Sequence, residues 1–207
     1  MNAADVKGAV ACISGAMDEN KDYLVSLDQQ NGDGDLGISM SCGFAAVREY
    51  LSTAEEADLG KLLMKCSGAF NESAPSSLGT ILSFGMIGMA RSLKGKTEAS
   101  LAELAGAMEA GVSLIMEKAG SKPGEKTVLD ALCPAVGTLR QNAEKDCKEA
   151  FSLAAKAAAA GSERTKEMRP VHGRAAYYGD KSIGLLDGGS VVGKLIFEGL
   201  EAYCSGR

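Results

Sequence analysis

Tryptophan is absent from the 207 residues of this chain, proline occurs only 4 times, and aromatic residues make up 5%. So few aromatic residues, beside many alanines, leucines and methionines, favour packed helices over sheets. The chain does not open on a basic segment followed by an apolar one, and no run reaches the ~18 apolar residues that span a bilayer. We therefore expect a cytoplasmic protein with no signal peptide and no membrane partner.

A surplus of basic residues is also lacking, because 22 Lys+Arg stand against 27 Asp+Glu and give a net charge of −5. A nucleic-acid partner is therefore not expected, and any phosphate ligand would need metal ions or backbone amides to offset the charge. A hydrophobic fraction of 45% excludes wholesale disorder. The length suits a single domain over residues 1–207.

The cysteines and the histidine do not form a recognisable redox, metal-binding or catalytic motif. None of the six cysteines forms a C-x-x-C pair and most fall within helical apolar patterns, so we expect buried, reduced thiols. His172 is the only histidine, and no recognisable motif places a serine or cysteine beside it. We expect a solvated loop histidine there and no catalytic triad.

Helical periodicity dominates the chain, and no segment shows the strict alternation of a half-buried strand. The pattern predicts an all-α bundle of about eight helices without an internal repeat. Their expected positions are about 6–28, 40–51, 58–70, 76–93, 104–116, 132–139, 146–160 and 189–203. Ser100 with Glu103, and Thr127 with Asp130, have the spacing of a capping box. Segment 161–189 is mostly aperiodic, and so long a connection is usually functional or disordered.

Three carboxylates fall within eight residues at the end of the first helix, as Asp28, Asp33 and Asp35. An aspartate at a helix C-terminus opposes the helix dipole, and two more nearby raise the cost unless a cation lies among them. Oxygen ligands point to Mg²⁺ or Ca²⁺. An EF-hand fails, since Leu36 and Cys42 stand where it requires Gly and Glu. A turn that merely caps the next helix stays open.

Three further loops could meet an anionic ligand at helix ends. Residues 71–80 combine small residues and hydroxyls before the most apolar helix, which suits either a phosphate cradle or a simple N-cap. Residues 120–127 resemble a Walker A motif but fail it, because Glu125 separates Gly124 from Lys126. They suit a nucleotide or a tight turn. Arg174 offers a planar fork for phosphate or a surface ion pair.

Taken in order, these segments resemble the L subunit of dihydroxyacetone kinase, which is also the nucleotide-binding domain of the ATP-dependent kinases. The matching stretches are LDQQNGDGDLG, SAPSSLGT, SKPGEKTVLDALCPA, HGRAAYYGDKSIG and LDGGS. The family has an Asp before G-D-x-D-x-G, an A-S-G-P-like loop, K-P-G-D-K-T, K-G-R-A-x-Y-x-G-x-x-S-I-G and D-P-G. The five motifs occur in the family's order, and the resemblance extends over nearly the full chain.

The resemblance implies an eight-helix antiparallel barrel with a nucleotide site at one end, and ADP or ATP as cofactor. It implies two Mg²⁺ ions that bridge Asp28, Asp33 and Asp35 to the phosphates of the nucleotide. These three aspartates and Arg174 are the implied catalytic residues. The residues implied to contact the nucleotide are Leu36, Gly37, Ile38, Ser39, Ser73, Ala74, Ser76, Ser77, Gly120, Thr127, Val128, Arg174, Asp187, Gly188 and Gly189.

The resemblance further implies phosphoryl transfer to dihydroxyacetone held on a partner K-type subunit. For a free-standing chain it implies resident ADP that a phosphohistidine protein of the phosphotransferase system recharges. The alternatives are a subunit that exchanges ATP and acts on another small sugar or polyol, and a regulatory nucleotide- or metal-binding module. A homodimer is left open.

Three positions depart from the family pattern. Leu36 stands where the family often has His or Thr, so a polar contact is lost. The A-S-G-P loop reads Ser73-Ala74-Pro75-Ser76, and the D-P-G turn reads Asp187-Gly188-Gly189. None of the three removes a predicted metal ligand.

Overall fold

Helices account for most of residues 1–206, the part of the chain that the computed structural model describes, and no strand occurs among them. The expected all-α class is confirmed. The α-helices are α1 (Ala3–Glu19), α2 (Lys21–Asp28), α3 (Leu36–Thr53), α4 (Leu59–Ser73), α5 (Ser77–Ser92), α6 (Leu101–Ala119), α7 (Leu129–Gln141), α8 (Cys147–Arg164) and α9 (Gly188–Ser205). Two short 3-10 segments, Thr165–Glu167 and Arg174–Ser182, lie between α8 and α9.

The first expected helix is divided at Asn20, which separates α1 from α2. Both the backbone N–H of Asn20 and its side-chain amide donate to the carbonyl of Ala16, at 3.2 and 2.9 Å. A short polar side chain that competes for backbone partners in this way ends a helix. Apolar periodicity continues across the break, so the sequence pattern alone does not reveal it.

The helices close into a ring. Each of α3 to α9 packs on its predecessor, α9 packs on α1, and α1 also packs on α3. The short helix α2 follows α1 and, like α1, packs on α3 and α9. Neighbours in such an up-and-down ring alternate in direction. The loops 29–35, 74–76, 120–128 and 165–187 therefore meet at one end, which we call the loop end. The connections 54–58, 93–100 and 142–146 lie at the opposite end.

The interior of the ring is apolar. The largest fully buried side chains include Phe70, Phe151, Phe197, Met17 and Met40. A residual cavity of about 170 Å³ remains among apolar side chains inside the ring. None of the helices described combines the length and the apolar character needed to cross a bilayer.

Two of the expected caps can be compared with the structure. The capping box of Ser100 and Glu103 is confirmed at the start of α6. At α7, Asp130 accepts from the N–H of Thr127 at 2.8 Å, and Thr127 Oγ1 accepts from the N–H of Leu129 at 3.2 Å. Thr127 and Asp130 thus both form hydrogen bonds at the start of α7, but the N-cap residue of this helix is Val128 and not Thr127.

Close packing of α5 on α6 yields a test of the fold. A Cβ at Gly88 would lie 2.6 Å from the carbonyl oxygen of Ala110 and 2.7 Å from Cα of Gly111. Both are backbone atoms of α6, so the two helices would have to move apart to accept it. We expect Gly88→Ala to lower the free energy of unfolding by about 1–3 kcal/mol. Urea unfolding measures it.

The matched control is Gly68→Ala in α4, where a Cβ would meet nothing within 4 Å. Alanine should there stabilise by about 0.5–1 kcal/mol, because glycine loses more backbone entropy on folding. Equal effects of the two substitutions would contradict the close contact between α5 and α6.

Candidate functional site

A cleft of about 800 Å³ opens at the loop end, and residues from all four loops line it. A volume of this size suits a small ligand such as a cofactor. The helices α3, α5, α7 and α9 all begin there, so four helix N-termini with unsatisfied N–H groups converge on one space. That arrangement favours an anionic ligand.

The acidic loop folds back over the end of α2. One carboxylate oxygen of Asp28 accepts from the backbone N–H groups of Gly34 and Asp35, at 2.7 and 3.1 Å. The positive φ of Gly34, +80°, allows the reversal. Asp28, Asp33 and Asp35 thereby each bring one oxygen within 4.8 Å of the others.

The charge of this cluster is only partly compensated. Desolvation raises the pKa of Asp35, the charges of Asp33 and Asp28 raise it further, and Arg174 opposes them. Arg174 Nη2 lies 2.6 Å from Asp33 Oδ2. The carboxamide oxygen of Asn31 is buried without a hydrogen-bond partner. Crowded carboxylates and an unpaired oxygen fit a hard divalent cation such as Mg²⁺.

The serine loop is joined to α3, the helix that follows the acidic loop. Ser76 caps α5 by accepting from the N–H of Gly79 at 3.1 Å, and its hydroxyl lies 2.8 Å from that of Ser39 in α3. Ser76 and Ser77 line the cleft. The N-cap interpretation is therefore confirmed for Ser76, and its position in the cleft is compatible with the phosphate-cradle interpretation as well.

A buried lysine joins the third loop to the fourth. Lys126 has φ +61°, the only positive value outside glycine among residues 1–206, and its side chain is turned inward. Its ammonium donates to the carbonyls of Ser182 and Leu185 at 2.6 and 2.8 Å. Burial lowers the pKa of Lys126, while Asp187 raises it.

His172 is not the solvated histidine that we expected. Its Nε2 lies 2.7 Å from a carboxylate oxygen of Glu125, and the N–H of Val171 donates to the Glu125 carbonyl at 3.3 Å. The hydrogen bond to His172 lowers the pKa of Glu125, and the N–H of Lys122 adds to this. Glu125 and His172 therefore hold the third and fourth loops together, in addition to Lys126.

The start of α9 completes the cleft. Asp187 caps the helix by accepting from the N–H of Ser190 at 2.6 Å, and its own N–H donates to Thr165 at 3.1 Å. Desolvation raises the pKa of Asp187 to about 7. A Cβ at Gly188 would lie 2.6 Å from Leu36 Cδ2. Two departures from the family pattern, at 36 and 188, thus face each other, and a larger residue at 188 would collide with Leu36.

The structure brings most of the predicted contact residues into the cleft. These are Asp28, Asp33, Asp35, Leu36, Ser76, Ser77, Thr127, Val128, Arg174, Asp187, Gly188 and Gly189. Six others lie outside its lining, namely Gly37, Ile38, Ser39, Ser73, Ala74 and Gly120. Gly37 instead allows α3 to approach α2, because a Cβ there would lie 2.1 Å from the carbonyl oxygen of Lys21.

Several lining residues were not predicted. Lys126, His172, Asn31, Pro75 and Tyr177 border the cleft. Lys126 and His172 fall inside segments that the sequence singled out, but only the folded backbone shows which groups they bind. Tyr177 is 92% accessible. Apart from its place in the stretch HGRAAYYGDKSIG, nothing in the sequence predicts that it borders the cleft.

Comparisons with known proteins agree with this geometry. The family model of the DAK2 domain matches residues 30–202. The ADP-binding subunit DhaL of PEP-dependent dihydroxyacetone kinase from Escherichia coli is 30% identical, with 82% of this chain and 81% of that protein covered. A DhaL subunit from Listeria innocua is also 30% identical, covering 88% and 87%.

The fold recurs in a solved structure. Dihydroxyacetone kinase from C. freundii, in complex with AMP-PNP and Mg²⁺, superposes with a TM-score of 0.78 at 23% identity over 96% of this chain and 34% of that one. The chain is thus a helical-barrel protein, and it belongs to the DAK2 domain family. Within that family it is of the DhaL type.

The acidic cluster yields a metal-binding test. The carboxylate of Asp28 accepts hydrogen bonds from the loop backbone, whereas that of Asp33 forms an ion pair with the exposed side chain of Arg174. Replacing Asp33 should therefore disturb the loop less than replacing Asp28. We expect Asp33→Ala to weaken Mn²⁺ binding, as a substitute for Mg²⁺, by about tenfold or more. Titration followed by electron paramagnetic resonance measures free Mn²⁺.

Asp22→Ala serves as the control, since Asp22 is an exposed carboxylate in the first turn of α2. It should leave Mn²⁺ affinity unchanged. Wild-type affinity in Asp33→Ala would show that the cluster does not bind the ion through this residue.

The raised pKa of Asp187 predicts a pH dependence of stability. Between about pH 4 and pH 7 the folded state keeps a proton that the unfolded chain has lost, so this group makes stability fall as pH rises. Asp187→Asn keeps an acceptor for Ser190 and removes the titration. We expect the urea midpoint of Asp187→Asn, measured relative to that of wild type, to rise as pH increases through this window, and parallel curves would contradict the shift.

Proposed function

We propose that this chain is the nucleotide-binding subunit of a dihydroxyacetone kinase. In this proposal ADP or ATP occupies the cleft, and Asp28, Asp33 and Asp35 hold two Mg²⁺ ions against its phosphates. The observation that carries the proposal is the set of three carboxylates beside four helix N-termini. Without cations these carboxylates would repel a phosphate chain, and with cations they anchor it.

Bound Mg²⁺ would supply charge neutralisation of the phosphates. The chain's own residues do the rest by positioning. Arg174 can turn from Asp33 to a phosphate, since both side chains are exposed and such an ion pair is weak. Ser76, Ser77 and the start of α9 at Gly188 offer N–H and hydroxyl donors. Phosphoryl transfer by positioning and electrostatics requires no covalent nucleophile from this chain.

The proposed acceptor is dihydroxyacetone held on a partner K-type subunit, and the proposed donor is a phosphohistidine protein of the phosphotransferase system that recharges resident ADP. The E. coli relative, described as the ADP-binding subunit of a PEP-dependent kinase, supports this arrangement. The cleft opens at the loop end, where a partner could present either group. The expected location is the cytoplasm, where that system operates.

The test is native mass spectrometry of freshly purified protein, followed by a transfer assay. We expect the mass of one ADP and two Mg²⁺ on the chain, and phosphorylation of dihydroxyacetone when the K-type subunit and the phosphohistidine donor are added. A bare chain that turns over with free ATP would favour an ATP-exchanging kinase for another sugar or polyol. Nucleotide binding without any transfer would favour a regulatory module.

A further inference from the structure

Two cysteines meet at the end of the ring opposite the cleft. The sulfur of Cys147, the first residue of α8, lies 2.7 Å from the sulfur of Cys204 near the end of α9. That separation is closer to a disulfide bond of about 2.05 Å than to the non-bonded contact of heavy atoms at about 3.5–4.0 Å. The two sulfur atoms are thus placed for a covalent bond with each other.

The other cysteines differ from this pair. Cys66 is buried in α4 and Cys133 is half-buried in α7, and burial raises the pKa of both thiols, to about 12 and about 11, with the charge of Asp130 adding to the shift of Cys133. Cys42 is exposed and lies on α3, contrary to the expected burial. Among the cysteines of residues 1–206, Cys147 and Cys204 are the pair whose sulfurs meet across two helices.

We propose that Cys147 and Cys204 form a reversible disulfide that links α8 to α9. Cys147 is partly exposed and Cys204 is buried behind it, so a small reagent reaches Cys147 first. The oxidant is a low-molecular-weight disulfide such as oxidised glutathione. This inference does not rest on the proposed function.

The reaction balances as two thiol–disulfide exchanges. The thiolate of Cys147 attacks one sulfur of the reagent, breaks its S–S bond and expels one small thiolate, which takes up the proton that Cys147 lost. The thiolate of Cys204 then attacks the Cys147 sulfur and expels the second thiolate, which takes up the proton from Cys204. The protein pair is oxidised, and the reagent is reduced to two thiols.

The link would close a loop between residues 57 positions apart and fix α9 at its far end. α9 closes the ring against α1 and carries Asp187 and Gly188 at its other end. Sixteen residues separate Gly188 from Cys204 within one helix, which is about 24 Å. The oxidised chain should therefore resist unfolding, while the cleft itself stays unchanged.

The test treats the full chain with oxidised glutathione and compares it with the reduced chain. We expect a loss of about 2 Da in the intact mass, for two hydrogens. After tryptic digestion without reductant, a peptide of residues 146–148 should be linked to the one that begins at Leu195. The melting temperature should rise by about 5–10 °C, and reductant should reverse it.

Cys147→Ser should abolish both the link and the rise in melting temperature, whereas Cys42→Ser should retain both. Stable glutathione adducts on Cys147 without a link to Cys204 would overturn the proposal, as would an unmodified chain. A link that forms without raising the melting temperature would overturn its stabilising role.

Discussion

The crowding of negative charge at the loop end is the constraint on which the site depends. Asp28, Asp33 and Asp35 face one another between α2 and α3, and Asp28 lies at the C-terminus of α2, where the helix dipole disfavours a carboxylate. Among residues 1–206, Arg174 is the one basic side chain that forms an ion pair with this cluster. Under the proposed function, divalent cations would neutralise these carboxylates and would in turn bind the phosphates of the nucleotide.

The ring architecture explains why one cleft can collect four loops that are distant in sequence. Alternating helix direction sends every second connection to the same end, and the following helices all present N-termini there. Lys126, Glu125 and His172 then join the third loop to the fourth through hydrogen bonds. The long segment after α8 is ordered by these contacts, although its own sequence has no helical period.

Much of the fold and part of the cleft could be predicted from the sequence. The helical period located most helices, and the order of five motifs indicated the ring and twelve of the cleft residues. The break at Asn20 was not predicted, because local hydrogen bonds end α1 while the apolar pattern continues into α2. Gly37 and Gly120 were predicted to contact the nucleotide and lie outside the cleft lining, and for Gly37 the structure shows a packing role against α2 that motif proximity does not reveal. Lys126 required the folded backbone of residues 182–185.

The most direct test of the central claim is diffraction from crystals grown with ADP and Mn²⁺. The account predicts anomalous density at coordination distance, about 2.0–2.2 Å, from oxygens of Asp28, Asp33 and Asp35, with the diphosphate on the far side of the ions. Nucleotide bound elsewhere on the chain, or bound at the loop end with no ion among the three carboxylates, would contradict it.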